Sequence, residues 1–133
     1  MKLIFCVDKK GGMMFFSKRQ SQDSVLRQKL IEMTSGNKLI MSESSKGQFK
    51  QFDSVIVSDD YLDIAGESDY CFIENLDYDI NRASEVILCN WNRQYQADKF
   101  FNCDLKKLGF KKVASENIKG SSHDKIAIET YRR

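Results

Sequence analysis

Asp23 opens a stretch in which apolar residues at 25, 26, 30 and 33 fall on one side of a 3.6-residue period, the pattern of an amphipathic helix. Ser21 is placed to cap that helix, and Gly36 stands where its C-terminal stop is expected. The carboxylate of Asp23 then sits in the first turn, where free N–H groups favour negative charge. An apolar run, Leu3 to Val7, and a glycine turn, Gly11-Gly12, precede the helix. Strand, glycine loop and helix in that order bring the acid to the C-terminal edge of a sheet, the usual place for a site in an open α/β fold. There a carboxylate can hold an amidine or guanidine edge by two parallel charge-assisted bonds. Its plainer roles are a helix cap or an i,i+4 surface pair with Arg27, worth about 0.3–0.5 kcal/mol.

Other candidates are more scattered. Glu74 and Asn75 follow directly on the apolar run Tyr70 to Ile73, so they point at the same crevice or begin a short helix running to Arg82. Trp91, Asn92, Arg93 and Tyr95 crowd one loop, a stacking platform for a flat ligand or a patch of edge packing. His123 is the only histidine and reads as an exposed loop residue. With one histidine and no Cys-x-x-C pair, neither a zinc hydrolase motif nor a structural zinc set is present, and no metal is expected. Cys6, Cys71 and Cys89 lie in apolar runs, where a reduced thiol behaves as a small buried hydrophobe.

The elements that must position these groups follow from the apolar runs. Strands are expected at Leu3 to Val7, Lys38 to Met41, Ser54 to Val57, Tyr70 to Ile73 and Glu85 to Cys89, with late strands at Phe110 to Ala114 and Lys125 to Tyr131. Asp8 to Gln20 reads as a mobile apolar loop bordering the Asp23 pocket, and Asp59 as the cap of a short helix that Gly66 ends. Early strands separated by helices, then strands without them, predict a three-layer α/β domain, its sheet parallel first and antiparallel at the C-terminal end. The 133 residues, 41% hydrophobic and 11% aromatic, suit a single domain over 1–133. A net charge of +2, from 21 basic and 19 acidic residues, gives no electrostatic case for nucleic acid or a membrane surface. No apolar run approaches the roughly 20 residues of a membrane span, and a cytoplasmic protein is expected.

At this point the order of motifs resembles the dihydrofolate reductase family. An apolar strand is followed by an Asp, the pair Gly12-Met13, and an acid opening the next helix, Asp23. Lys38-Leu39-Ile40-Met41 is similar to the family's Lys-Pro-Val-Ile-Met strand, and Ala97-Asp98-Lys99-Phe100-Phe101 to its Gly/Ala-Asp-x-x-Phe. Gly120 to Arg133 resembles its closing loop and last strand. The resemblance implies that Asp23 is the catalytic acid holding a pterin edge, that Met13, Arg27, Ile73 and Cys89 face the substrate, and that Glu74 and Asn75 stand at the cofactor. It also marks departures. The family has Gly-Gly, bare backbone against the cofactor pyrophosphate, where this chain has Glu74-Asn75. The segment Ser42 to Asp69 is much shorter than the family's adenosine-binding segment, and Arg27 replaces an aromatic residue. The expectation is a shortened, divergent relative with a pocket at Asp23 for a pterin, folate or other flat heterocycle, and NADPH disfavoured. The alternative is a non-catalytic nucleotide- or protein-binding regulatory module on the same scaffold.

Overall fold

The apolar N-terminal run forms the central strand of a seven-stranded sheet in the computed structural model, which describes residues 1–133. In chain order the elements are β1 (Lys2–Val7), β2 (Gly12–Phe15), β3 (Lys18–Arg19), α1 (Ser24–Met33), β4 (Leu39–Met41), α2 (Glu43–Lys46), β5 (Val55–Val57), α3 (Tyr61–Ile64), β6 (Tyr70–Ile73), β7 (Glu85–Asn90), β8 (Lys99–Phe100), β9 (Lys111–Ile118) and β10 (Ile126–Arg132). The large sheet runs β5-β4-β6-β1-β7-β10-β9, and β3-β2-β8 form a small second sheet. Strands β4 to β7 on either side of β1 are parallel, whereas β10 is antiparallel to β7 and β9. This is the expected mixed sheet, parallel first and antiparallel at the end.

Side-chain alternation divides the core into two layers. Leu3, Phe5 and Val7 face one side with Ile40, Cys71, Ile73 and Val86. Phe5 packs there against Tyr78 and Phe101, ring centroids 4.8 and 4.7 Å away. Ile4 faces the other side with Phe72, Ile87, Cys89 and Trp91, under Leu26 and Leu30 of α1 and Phe49. No helix is long and apolar enough to cross a membrane.

Several local expectations change. Helix α1 starts at Ser24, so Asp23 is its cap and Ser21 lies outside it. The segment Asp8 to Gln20 is not a plain loop: Gly12 to Arg19 form the β2–β3 hairpin, with Met13 and Met14 buried. Gly12 must be bare there, because a Cβ would stand 2.6 Å from Asp8 Oδ2 and 2.7 Å from Ala97 Cβ. No helix runs from Glu74, whose chain turns helical only at Ile80–Arg82, as a 3-10 turn. The residue before α3 is Asp60 rather than Asp59, and its side chain makes no cap bond. Strand β9 continues to Ile118 because β10 pairs with it along its length.

Candidate functional site

Parallel strands all end on one edge of the sheet, and the polar residues that follow them meet there. Asp8 follows β1, Ser42 follows β4, Glu74 follows β6 and Trp91 follows β7. Helix α1 runs back along the sheet and brings Asp23 to the same edge.

Asp23 is 2% exposed, and both carboxylate oxygens are engaged. Oδ1 accepts from the backbone N–H groups of Val25, Leu26 and Ser121 at 3.0, 3.2 and 3.0 Å. Oδ2 accepts from the N–H and hydroxyl of Ser122, at 2.9 and 3.2 Å, and lies 3.0 Å from His123 Nδ1. Burial pushes this carboxyl up, but the bonds from Ser122, His123, Ser121 and Leu26 outweigh burial and hold it well below the usual carboxylate range. Gly120 makes the loop's approach possible, since a Cβ there would lie 2.8 Å from Asp23 Cγ.

The expected exposed histidine is in fact buried. His123 is 3% exposed and stacks on Trp91, ring centroids 4.5 Å apart and planes 25° from parallel. The flat indole next to β7 supplies the surface that covers it, and Asp23 supplies the partner that a buried imidazole needs. Its Nε2 lies 3.0 Å from Ser21 Oγ and 3.1 Å from Tyr95 OH.

Glu74 forms a second buried cluster. Arg19 grips it in two directions, Nε to Oε2 at 3.1 Å and Nη2 to Oε1 at 3.1 Å. Ser45 Oγ and Gln48 Nε2 also donate to Oε1, at 2.7 and 3.2 Å, and Lys99 Nζ reaches the Glu74 carbonyl at 2.9 Å. Asn75 is exposed and accepts from Ser42 Oγ at 2.9 Å.

Between the two clusters is a narrow cavity of about 10 Å³, lined by Ser21, Asp23, Arg27, Glu74, Phe49 and Trp91 among others. That is room for about one water molecule. The Nε of Arg27 is buried without a partner, while its Nη1 donates to Gln22. Cys6 is half-buried on this cavity, its thiol held well above the usual range by the Cys89 sulfur beside it and by burial, so it is an inert lining group.

The candidate residues therefore separate. Asp23, Arg27 and Glu74 share the cavity. Met13 and Ile73 belong to the opposite core layer, and Cys89 lies in the layer beneath α1 without lining the cavity. Ser21, Tyr95, Arg19, Ser45 and Gln48 complete the two clusters; of these the sequence pointed only to Tyr95, as part of the Trp91–Tyr95 loop, and the other four were not marked as site residues. The polar run Gln20-Ser21-Gln22 ahead of the helix was the available signal for Ser21. An open pocket of about 690 Å³ lies nearby, lined by Asp8, Lys10, Phe15, Tyr95 and Phe100 among others. Asp8 is already consumed there by the N–H groups of Lys10, Gly12 and Tyr95 and by Gln20 Nε2. No group of three or more His, Cys, Asp and Glu side chains could hold a metal ion.

The architecture is that of the dihydrofolate-reductase-like α/β folds. A solved neighbour is the dihydrofolate reductase from Enterococcus faecalis complexed with NADP(H) and RAB-propyl, with a TM-score of 0.66 and 15% identity over 99% of this chain and 95% of that one. At that identity the likeness shows the fold alone. In sequence the chain matches no protein-family model and no curated protein.

Proposed function

We propose that this chain is a divergent small-molecule-binding protein on the dihydrofolate-reductase-like fold, its pocket at Asp23 taking a pterin- or folate-like or other flat heterocycle. The observation that carries this reading is the wall of the inner cavity. Phe49, Phe72 and Trp91 offer flat apolar faces, while Asp23, Arg27 and Glu74 bring charge to the same small space. The unpartnered Arg27 Nε is a buried donor in want of an acceptor, which favours a ring carrying an oxo or carboxylate group. An amidine edge reaches Asp23 only by displacing Ser122 or His123, because the carboxylate already receives six donors. A flat ring enters only if this cavity widens, since it has room for only about one water.

On the same reading the protein does not use NADPH in the family's manner. The residues after β6 do not fit a dinucleotide pyrophosphate. Where bare backbone would meet it, the Glu74 carboxylate sets like charge against phosphate, and Arg19 is already bound to that carboxylate. Losing two or three charge-assisted phosphate contacts, at about 1.5–3 kcal/mol each, weakens binding by orders of magnitude.

A thermal-shift screen against pterins, antifolates, nucleotides and NADPH tests both statements. A ligand at 100 times its Kd stabilises the native state by about 2.7 kcal/mol. The expected result is a shift with a pterin-like ring that is lost in Arg27→Met, and none with NADPH. Micromolar NADPH binding, with oxidation abolished in Asp23→Asn, would make the protein a working reductase with a rebuilt phosphate site. The second reading, a non-catalytic binding module, draws on Phe16, which is 74% exposed at the tip of the β2–β3 hairpin beside Phe15. A screen in which no heterocycle binds favours it.

A further inference from the structure

Three groups far apart in the chain stand in one line at this edge. Asp23 Oδ2 is 3.0 Å from His123 Nδ1, and His123 Nε2 is 3.0 Å from Ser21 Oγ. An ionised carboxylate only accepts hydrogen bonds, so a neutral imidazole facing it carries its proton on Nδ1. Nε2 then turns a lone pair toward Ser21, whose hydroxyl must donate. Stacking on Trp91 keeps the ring from turning away, and the N–H groups of Ser121 and Ser122 fix the acid behind it.

We propose that Ser21 is a nucleophile, His123 its general base and Asp23 the positioning acid of an esterase-type acyl transfer. Ser21 Oγ bonds to the acyl carbon of an ester and passes its proton to Nε2. The bond to the leaving alkoxide breaks, and the alkoxide takes that proton from Nε2. Water then bonds to the acyl carbon and gives a proton to Nε2, the acyl–Oγ bond breaks, and Ser21 recovers the proton. The balance is ester plus water to carboxylic acid plus alcohol. Arg27 supplies charge for the developing oxyanion, because it lines the cavity that Ser21 also lines and its Nε has no partner. An open pocket of about 480 Å³ lies beside the line, lined by Phe15, Gln20 and Tyr95 among others, and its aromatic walls point to aryl esters as the substrate class; Ser21 itself is half-buried. This activity rests on the hydrogen-bond line and does not require that a pterin-like ring bind.

Tyr95 gives the test its lever. Its hydroxyl is 3.1 Å from the same Nε2 and competes with Ser21 for one lone pair. The full chain is treated with an alkyl fluorophosphonate, which adds to base-activated serines, and the adduct is located by peptide mass mapping. One adduct on Ser21 is expected, absent in Ser21→Ala and slowed on the order of 100-fold or more in His123→Gln. Tyr95→Phe removes the competitor and should label at an equal or higher rate. Hydrolysis of phenyl acetate should follow the same order among the variants. No adduct, an adduct only elsewhere, or Ser21 labelling indifferent to His123→Gln overturns the proposal. Should His123→Gln fail to fold by circular dichroism, Tyr95→Phe decides, and loss of labelling in that variant overturns it.

Discussion

Asp23 receives six donors while buried, so its charge is matched by the chain itself rather than by solvent. Asp23→Asn keeps the shape but removes the charge and turns an amide N–H₂ toward groups that also donate. The expected cost is about 2–4 kcal/mol in urea denaturation at neutral pH. The pH dependence has a definite sign. The folded carboxyl titrates below its unfolded counterpart, so the stabilisation is complete above the unfolded value, about pH 4, and drains as pH falls toward the folded one. The gap between wild type and Asp23→Asn should therefore narrow as pH falls below about 4; a gap that keeps its size through that range would contradict this. Gly120→Ala tests the same contact from the other side. Its methyl would strike the carboxylate, and overpacking of this kind costs about 1–3 kcal/mol in thermal denaturation.

Helix α1 holds the acid in place through a narrow stripe. Leu26 and Leu30 are buried under it, whereas Val25, on the expected apolar side, is 40% exposed. Leu30→Ala should cost about 2–5 kcal/mol and Val25→Ser within about 0.5 kcal/mol, measured by chemical denaturation. The sheet was legible in the sequence because its central strands are continuous apolar runs bounded by charge, as Tyr70–Ile73 illustrates. The β2–β3 hairpin was not. Met13-Met14-Phe15-Phe16 shows no alternation, and its turn places Phe16 and Ser17 at φ 49 and 60°, residues that seldom adopt that region. Within the site, Asp23 and Arg27 could be found from periodicity and resemblance. His123 could not, because its burial depends on an acid 100 positions away and an indole on another strand end, and no local pattern encodes either contact.

At the scale of the whole molecule, the same strand-end edge carries two clusters built on buried acids, one around Asp23 and one around Glu74, with a small cavity between them. Any ligand that binds there must be tight enough to offset opening that edge, so its binding should appear as slower hydrogen exchange in α1 and in the 119–125 loop together. The long-range bonds of Asp23 also set an order of events in folding. Its own helix supplies Val25 and Leu26 N–H two and three residues away, but Ser121, Ser122 and His123 lie 98 to 100 residues further on. Contacts of such separation carry a large loop-closure penalty and form late. His123→Gln should therefore accelerate unfolding and leave the refolding rate nearly unchanged in stopped-flow experiments, whereas slowed refolding would place this contact in the nucleus. During synthesis at about 5–20 residues per second, the nascent chain carries a helix cap with only its local donors for several seconds. The acid acquires its final environment only when the last hairpin docks.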